Sequence, residues 1–286
     1  MHCSEDERRP GPARGAECAP GKPRVLTSDA EFDSIDFILR VYRDQGRIDL
    51  KVLPFDSLRF EPCDLLVLST VAFRTGRIFP QVKETIERAR ASKALVLLDV
   101  YHHAGVLPLG LAELDPDFAI GGSYKYLRGG PGACWLYVHP RHHGLRTLDT
   151  GWFAKEDVFA YARPEPPRFA AGGDAWLEST PPVLAPFQAL AGLEITLEIG
   201  VERIREYGLA QKRFLKSLLP IDGEGDDHGA FVTLRDARAN ALATELAGKG
   251  IKTDARGEYL RVCPDILNPR AELEAAARAL NELMAR

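Results

Sequence analysis

Lys125 lies in Gly121-Gly122-Ser123-Tyr124-Lys125-Tyr126, a run of small residues and hydroxyl-bearing side chains. Upstream, by about the span of one β-α-β crossover, an apolar run ends at Asp99. A lysine amine attacks carbonyls once an apolar pocket or neighbouring cations lower its pKa. An aspartate at the carboxyl end of a strand stands where ligands of open α/β sheets collect. Together they form the pair that a pyridoxal-phosphate enzyme needs. The lysine joins the aldehyde as an imine, and the carboxylate keeps the pyridine nitrogen protonated so that the ring accepts electrons. The Gly129-Gly130-Pro131-Gly132 turn allows the backbone to approach a ligand closely. Plainer roles also exist: Lys125 as a surface lysine and Asp99 as a cap on the following loop.

Such a pair needs a sheet to position it, and the pattern supplies one. Arg24 to Thr27 reads as a strand, Glu31 to Gln45 as a helix and Ile48 to Leu53 as a strand. Asp64 to Ser69 and Ala94 to Asp99 are continuous apolar runs, as expected of strands buried on both faces, with an amphipathic helix from Gln81 to Ser92 between them. Phe118 to Gly122 and Gly132 to Val138 continue the sheet on either side of the lysine. This alternation means β-α-β units. A long helical stretch follows Pro182, with breaks expected near Gly200 and Gly208. From Ala230 the order strand, helix, strand, strand, helix reads as a compact α+β unit. The expected organisation is a disordered tail over 1–23, a large α/β domain over 24–200 and a small domain over 201–286.

The 286 residues, 45% of them hydrophobic, suffice for a substantial core. A net charge of −4 without a Lys/Arg cluster argues against a nucleic-acid partner. No apolar stretch reaches the roughly 18 residues of a membrane span, so no membrane partner is expected. Five scattered cysteines without a Cys-x-x-Cys pair suggest neither disulfides nor zinc and fit a reducing cytoplasm. Adjacent His102 and His103 cannot both face one centre from a regular element, so no metal is expected. His102 is placed beside a bound aromatic cofactor and His103 against solvent or packing. His139, His142 and His143 read as solvated surface.

Several segments, in order from about Arg24 to the C-terminus, resemble the aminotransferase class V family and, within it, kynureninases. They are Ser69-Thr70-Val71-Ala72-Phe73-Arg74-Thr75-Gly76, Asp99 to Leu109, Ser123 to Gly132, Gly151-Trp152-Phe153, Ser179 to Leu184 and Leu260-Arg261-Val262-Cys263-Pro264. The resemblance implies the three-layer, mainly parallel sheet of the PLP-dependent transferase large domain, with pyridoxal 5'-phosphate as cofactor. It also implies an amino-acid substrate, a homodimer and a place in tryptophan catabolism. Lys125 would then be the Schiff-base lysine and Asp99 the partner of the pyridinium nitrogen. His102 would lie beside the cofactor, Tyr124 would bond its phosphate and Phe32 would stack on its ring. Trp152 and Thr180 would complete the pocket from the neighbouring subunit, and Arg261 would hold the substrate carboxylate through a bidentate fork. Plainer roles are core packing for Phe32 and Trp152, a helix cap for Thr180 and an ion pair for Arg261.

The chain also departs from that family. The family carries opening helices, strands and a phosphate loop upstream of the Phe32 region, and the 23 residues here are too few and too polar to replace them. A truncated product, a second polypeptide that supplies the missing part, or a cofactor bound weakly or not at all would each account for this. Asp33 and Ile35 stand where the family has proline and aspartate, and His103 replaces a small residue, which implies a reshaped pocket. Three readings follow: a kynureninase-like hydrolase, another class V reaction such as transamination, desulfuration or epimerisation, and an inactive homologue. A desulfurase needs a mobile cysteine, and Cys134 lies inside an expected strand.

Overall fold

The computed structural model describes residues 21–147 and 149–286. The tail expectation for residues 1–20 therefore lies outside the described residues. Strands β1 (Arg24–Ser28), β2 (Asp49–Leu53), β3 (Leu65–Ser69), β4 (Leu95–Asp99), β5 (Phe118–Gly122) and β6 (Cys134–Val138) form one sheet in the order β2-β1-β3-β4-β5-β6. All neighbours pair in parallel except β6, which returns antiparallel to β5.

Alternate residues of these strands serve opposite layers, as the two-residue period requires. Leu26, Leu66, Leu68, Val96 and Leu98 meet Phe55, Leu58 and the helix Val82–Ala91, through Ile86 and Ala89. Val25 and Val67 instead pack under Ile35 and Leu39 of the helix Asp33–Asp44. In chain order these helices are α1 (Asp33–Asp44) and α2 (Val82–Ala91). Each such leucine contributes about 1.5–3 kcal/mol by leaving water. Helix on both faces explains why β3 and β4 read as unbroken apolar runs.

Helix α1 starts two residues later than expected. Phe32 is extended (φ −62°, ψ 145°), and Glu31 is drawn into the sheet edge, 3% exposed. Asp33 and Asp36 in its first turn and Arg43 in its last suit the helix dipole. After a short turn, α3 (Leu111–Leu114), come α4 (Leu184–Ile199) and α5 (Val201–Lys216), bent by 80° at Gly200, whose φ of +86° favours glycine. The second expected break, at Gly208, does not occur; α5 runs through it. Among the described residues no single helix is long and apolar enough to cross a membrane.

The C-terminal part has the expected order: β7 (Val232–Arg235), α6 (Ala239–Gly248), β8 (Asp254–Arg256), β9 (Tyr259–Val262) and α7 (Arg270–Met284). Its sheet is antiparallel, in the order β7-β9-β8. A core of its own joins Leu215 and Leu219, at and just beyond the end of α5, to Val232, Leu242, Leu260 and Leu280.

Candidate active site

Strands β3, β4 and β5 end together, with Ser69 opposite Asp99 and Asp99 opposite Ile120. The chain leaving β5 carries Lys125 directly over this edge. The lysine loop is tied down by Ser123, whose N–H donates to Ala133 O (2.8 Å) and whose carbonyl accepts from Gly129 N (2.7 Å). Helix α4 closes on it from behind. A Cβ on Gly192 would sit 2.2 Å from Arg128 O, so glycine is what allows that approach.

Lys125 Nζ lies 2.9 Å from His102 Nε2. The rings of Tyr101, Phe32 and Tyr124 surround the amine at 5.2, 5.4 and 5.7 Å. Burial lowers its pKa to about 8, against the opposing pull of Asp99 and with help from Arg261 and Arg256. Burial likewise pushes His102 down to about 3, so its ring is neutral and Nε2 accepts from the lysine ammonium. Asp99 is 6% exposed, and burial raises its pKa, opposed by the Tyr101 N–H and by Lys125. Its Oδ1 accepts from Tyr101 N at 2.8 Å, and among the described residues no hydrogen bond falls on Oδ2.

The structure thus brings together Lys125, Asp99, His102, Tyr124 and Phe32. Arg261 approaches from the second sheet and lines, with Asp254, Thr253, Lys252, Phe231, Cys263 and Tyr126, a cavity of about 240 Å³. Its fork is not free. Nε donates to Asp254 Oδ1 (2.6 Å), Nη2 to Asp254 Oδ2 and Nη1 to Phe73 O, while its guanidinium sits 4.9 Å over the Phe231 ring. The ion-pair role is therefore realised, and only the terminal edge of the guanidinium remains for a ligand.

Trp152 and Thr180 stand apart from the lysine. Both are exposed, and Trp152 packs on Phe153 and Phe159 at 4.6 and 6.1 Å. Their segments touch each other, since a Cβ on Gly151 would collide with Glu178 O at 1.9 Å. His103 is not among the residues lining that cavity; its ring spans Thr70 Oγ1 and Pro108 O, each at 3.1 Å. His139 and His142 are not free surface residues. They pair with Asp115 and Asp117, and His142 also stacks on Phe118. Cys134 is exposed but fixed in β6, paired with Gly122.

The sequence assigns no role to four residues of this neighbourhood: Tyr101, Phe231, Asp254 and Glu31. Tyr101 and Phe231 read as ordinary aromatics, and Asp254 as one acid among many. Glu31 is the least legible, because a charged residue before a helix suggests solvent. Burial raises its pKa to about 7, although Ser28 and Ser69 bond its carboxylate.

The mainly parallel sheet with its second, small antiparallel sheet is the fold of PLP-dependent transferases, and a lysine amine over its carboxyl edge with a buried acid beneath suits their cofactor. The chain belongs to the aminotransferase class V family, which matches residues 37–261. It is 31% identical to the kynureninase of Stenotrophomonas maltophilia, over 84% of this chain and 61% of that protein. It is 28% identical to an uncharacterized aminotransferase of Bacillus subtilis, over 93% and 73%. In fold it is similar to a cystine C-S lyase (TM-score 0.78, 21% identity, 91% and 76% covered). It is also similar to the cysteine desulfurase CsdA of Escherichia coli (TM-score 0.79, 17% identity, 96% and 74%). The chain spans between 48% and 69% of the length of several curated kynureninases, and 61% of the Stenotrophomonas maltophilia one. Pyridoxal phosphate fits the residues present, because Asp99 Oδ2 carries no hydrogen bond among the described residues and three aromatic rings surround the Lys125 amine.

Proposed function

We propose that the chain binds pyridoxal phosphate at Lys125 and acts as a kynureninase-type hydrolase. It would cleave the Cβ–Cγ bond of L-kynurenine or 3-hydroxykynurenine with water, giving L-alanine and anthranilate or 3-hydroxyanthranilate. The observation that carries the reading is the Lys125 amine, walled by aromatic rings, 2.9 Å from His102 Nε2 and within electrostatic reach of the buried Asp99, with its pKa lowered to about 8. When bound, the cofactor supplies an electron-accepting ring that stabilises negative charge at the substrate α-carbon. Lys125 supplies the attaching amine and, once free of it, a base for the α-proton; at neutral pH roughly a tenth of a lysine with such a pKa is unprotonated. His102 Nε2, 2.9 Å away, orients that amine. Asp99 Oδ2 would hold the ring nitrogen, Phe32 and His102 would flank the ring, and Tyr124 would bond the phosphate. The terminal edge of Arg261 would hold the substrate carboxylate.

A second copy of the chain is part of this reading. Leu184, Phe187 and Leu197 on α4 are 83%, 72% and 76% exposed, more apolar surface than a helix normally leaves to water. In this reading a second subunit covers that surface and contributes its own Trp152 and Thr180 to the cleft, and a reducing cytoplasm would suit the unpaired Cys63, Cys134 and Cys263.

Transamination is the second reading, favoured by the Bacillus subtilis relative, which the chain covers more fully than it does the kynureninases. Desulfuration is disfavoured because Cys134 is held in β6. Product analysis decides: reconstituted protein given L-kynurenine should release anthranilate and alanine. Keto-acid formation from a panel of amino acids, without anthranilate, would replace the first reading by the second, and no turnover of any of them would leave an inactive homologue.

A further inference from the structure

Glu31 is a charged residue, 3% exposed, immediately before the ring that faces Lys125. Its Oε1 accepts from Ser28 Oγ (2.6 Å) and Ser69 N (3.0 Å), and its Oε2 accepts from Ser69 Oγ (2.6 Å). Ser28 is the last residue of β1 and Ser69 the last of β3, so one carboxylate joins the ends of two adjacent strands. Ser69 is also the register partner of Asp99. Three donors on a single acid favour its ionised form and oppose the burial that raises its pKa to about 7.

We propose that Glu31 is a positioning residue of the lysine site: by stapling the ends of β1 and β3 it fixes Phe32 as the wall that keeps water from Lys125. The path is short. Phe32 follows Glu31 directly, is extended rather than helical, and packs edge-on against Phe73 at 5.5 Å, with its ring 5.4 Å from Lys125 Nζ. Without the staple, the start of the turn is still held at Asp29 by Leu53, Phe55 and Arg74, but beyond it the Phe32 ring rests on its edge-on contact with Phe73 and gains freedom to leave the amine. The ring also attracts the ammonium, but burial is the larger influence on this lysine, so exposing it raises its pKa. The other groups acting on Lys125 are Asp99, His102, Arg261, Arg256 and Asp254, with Tyr101 and Tyr124 beside it, and none lies on the β1–α1 turn. Glu31 itself faces Ser28, Ser69 and, more remotely, Asp99.

The inference rests on the reading of Lys125 as the working amine, and its test uses no cofactor. In the cofactor-free full chain, Lys125 is methylated with formaldehyde and cyanoborohydride across a pH series and its modification read by peptide mass spectrometry. Wild type should show a midpoint near pH 8. Glu31→Ala and Phe32→Ala should each raise it by about one unit, and the double variant no further than either, as for residues acting through one contact. Glu31→Gln keeps the shape and most of the hydrogen bonds and should stay close to wild type. An unchanged midpoint in folded Glu31→Ala, additive shifts in the double variant, or Glu31→Gln as displaced as Glu31→Ala would overturn the proposal. Should Glu31→Ala not fold, Ser28→Ala removes one bond of the staple; a smaller upward shift supports the proposal and no shift overturns it. Failure to bind pyridoxal phosphate would refute the proposed function and leave this measurement intact.

Discussion

The two ends of the main sheet use acids in opposite ways. At the amino end of β5, Asp117 is 8% exposed and fully engaged: Oδ2 accepts from Val96 N (2.8 Å), and Oδ1 from Arg141 and His142. At the carboxyl end of β4, Asp99 is buried to the same degree, yet one of its oxygens has no hydrogen bond among the described residues. Nearby, Lys125 lacks a carboxylate within salt-bridge distance among the described residues and meets a neutral histidine instead. The first arrangement satisfies its charges and stabilises the fold. The second leaves them poised at a cost in stability, which is where ligand chemistry is expected.

The largest effect that would sharpen this contrast is the exchange of roles between the two acids. Asp117→Ala strands the buried Val96 N–H and leaves Arg141 to the Asp115 carboxylate, and should cost about 1–3 kcal/mol, read from urea denaturation. Asp99→Asn should leave the stability of the cofactor-free protein nearly unchanged, while weakening pyridoxal-phosphate binding roughly tenfold or more in a fluorescence titration. Equal stability losses in both variants would erase the distinction.

Next in size is the effect of pH on His102. Its folded pKa, about 3, lies below the ordinary value near 6.5, so between these limits the unfolded chain binds more protons. The stability it contributes is complete above about pH 6.5 and falls away as pH drops toward 3. The melting temperature should therefore fall less between pH 7 and pH 5 in His102→Gln than in wild type. Arg261→Lys follows: it removes the planar fork and, under the proposed function, should raise KM for L-kynurenine about tenfold, with a smaller change in kcat. The smallest effect belongs to Glu84→Ala, which breaks the exposed pair with Arg88 on α2 and should change stability by no more than about 0.5 kcal/mol.

Local patterning made most of the fold legible. The apolar runs of β3 and β4, the amphipathic α2 and the order of the C-terminal unit follow from side-chain periodicity, which is visible in a single chain. The Lys125 loop was legible because glycine, hydroxyl and aromatic residues cluster within a few positions of it. What was not legible depends on contacts across the sheet. Glu31 owes its burial to two serines on different strands, Arg261 owes its orientation to Asp254 on a neighbouring strand, and His142 becomes a packed residue only because Asp117 and Phe118 lie beneath it. Gly208 shows the converse, since helix context overrides a local breaker.

The central claim is that Lys125 is the residue to which pyridoxal phosphate attaches. Incubating the protein with the cofactor, reducing with borohydride and mapping the peptides by mass spectrometry tests it directly. The account predicts one dominant phosphopyridoxyl mass on the peptide containing Lys125, absent from Lys125→Ala. Label spread over surface lysines, or unchanged in that variant, would contradict it.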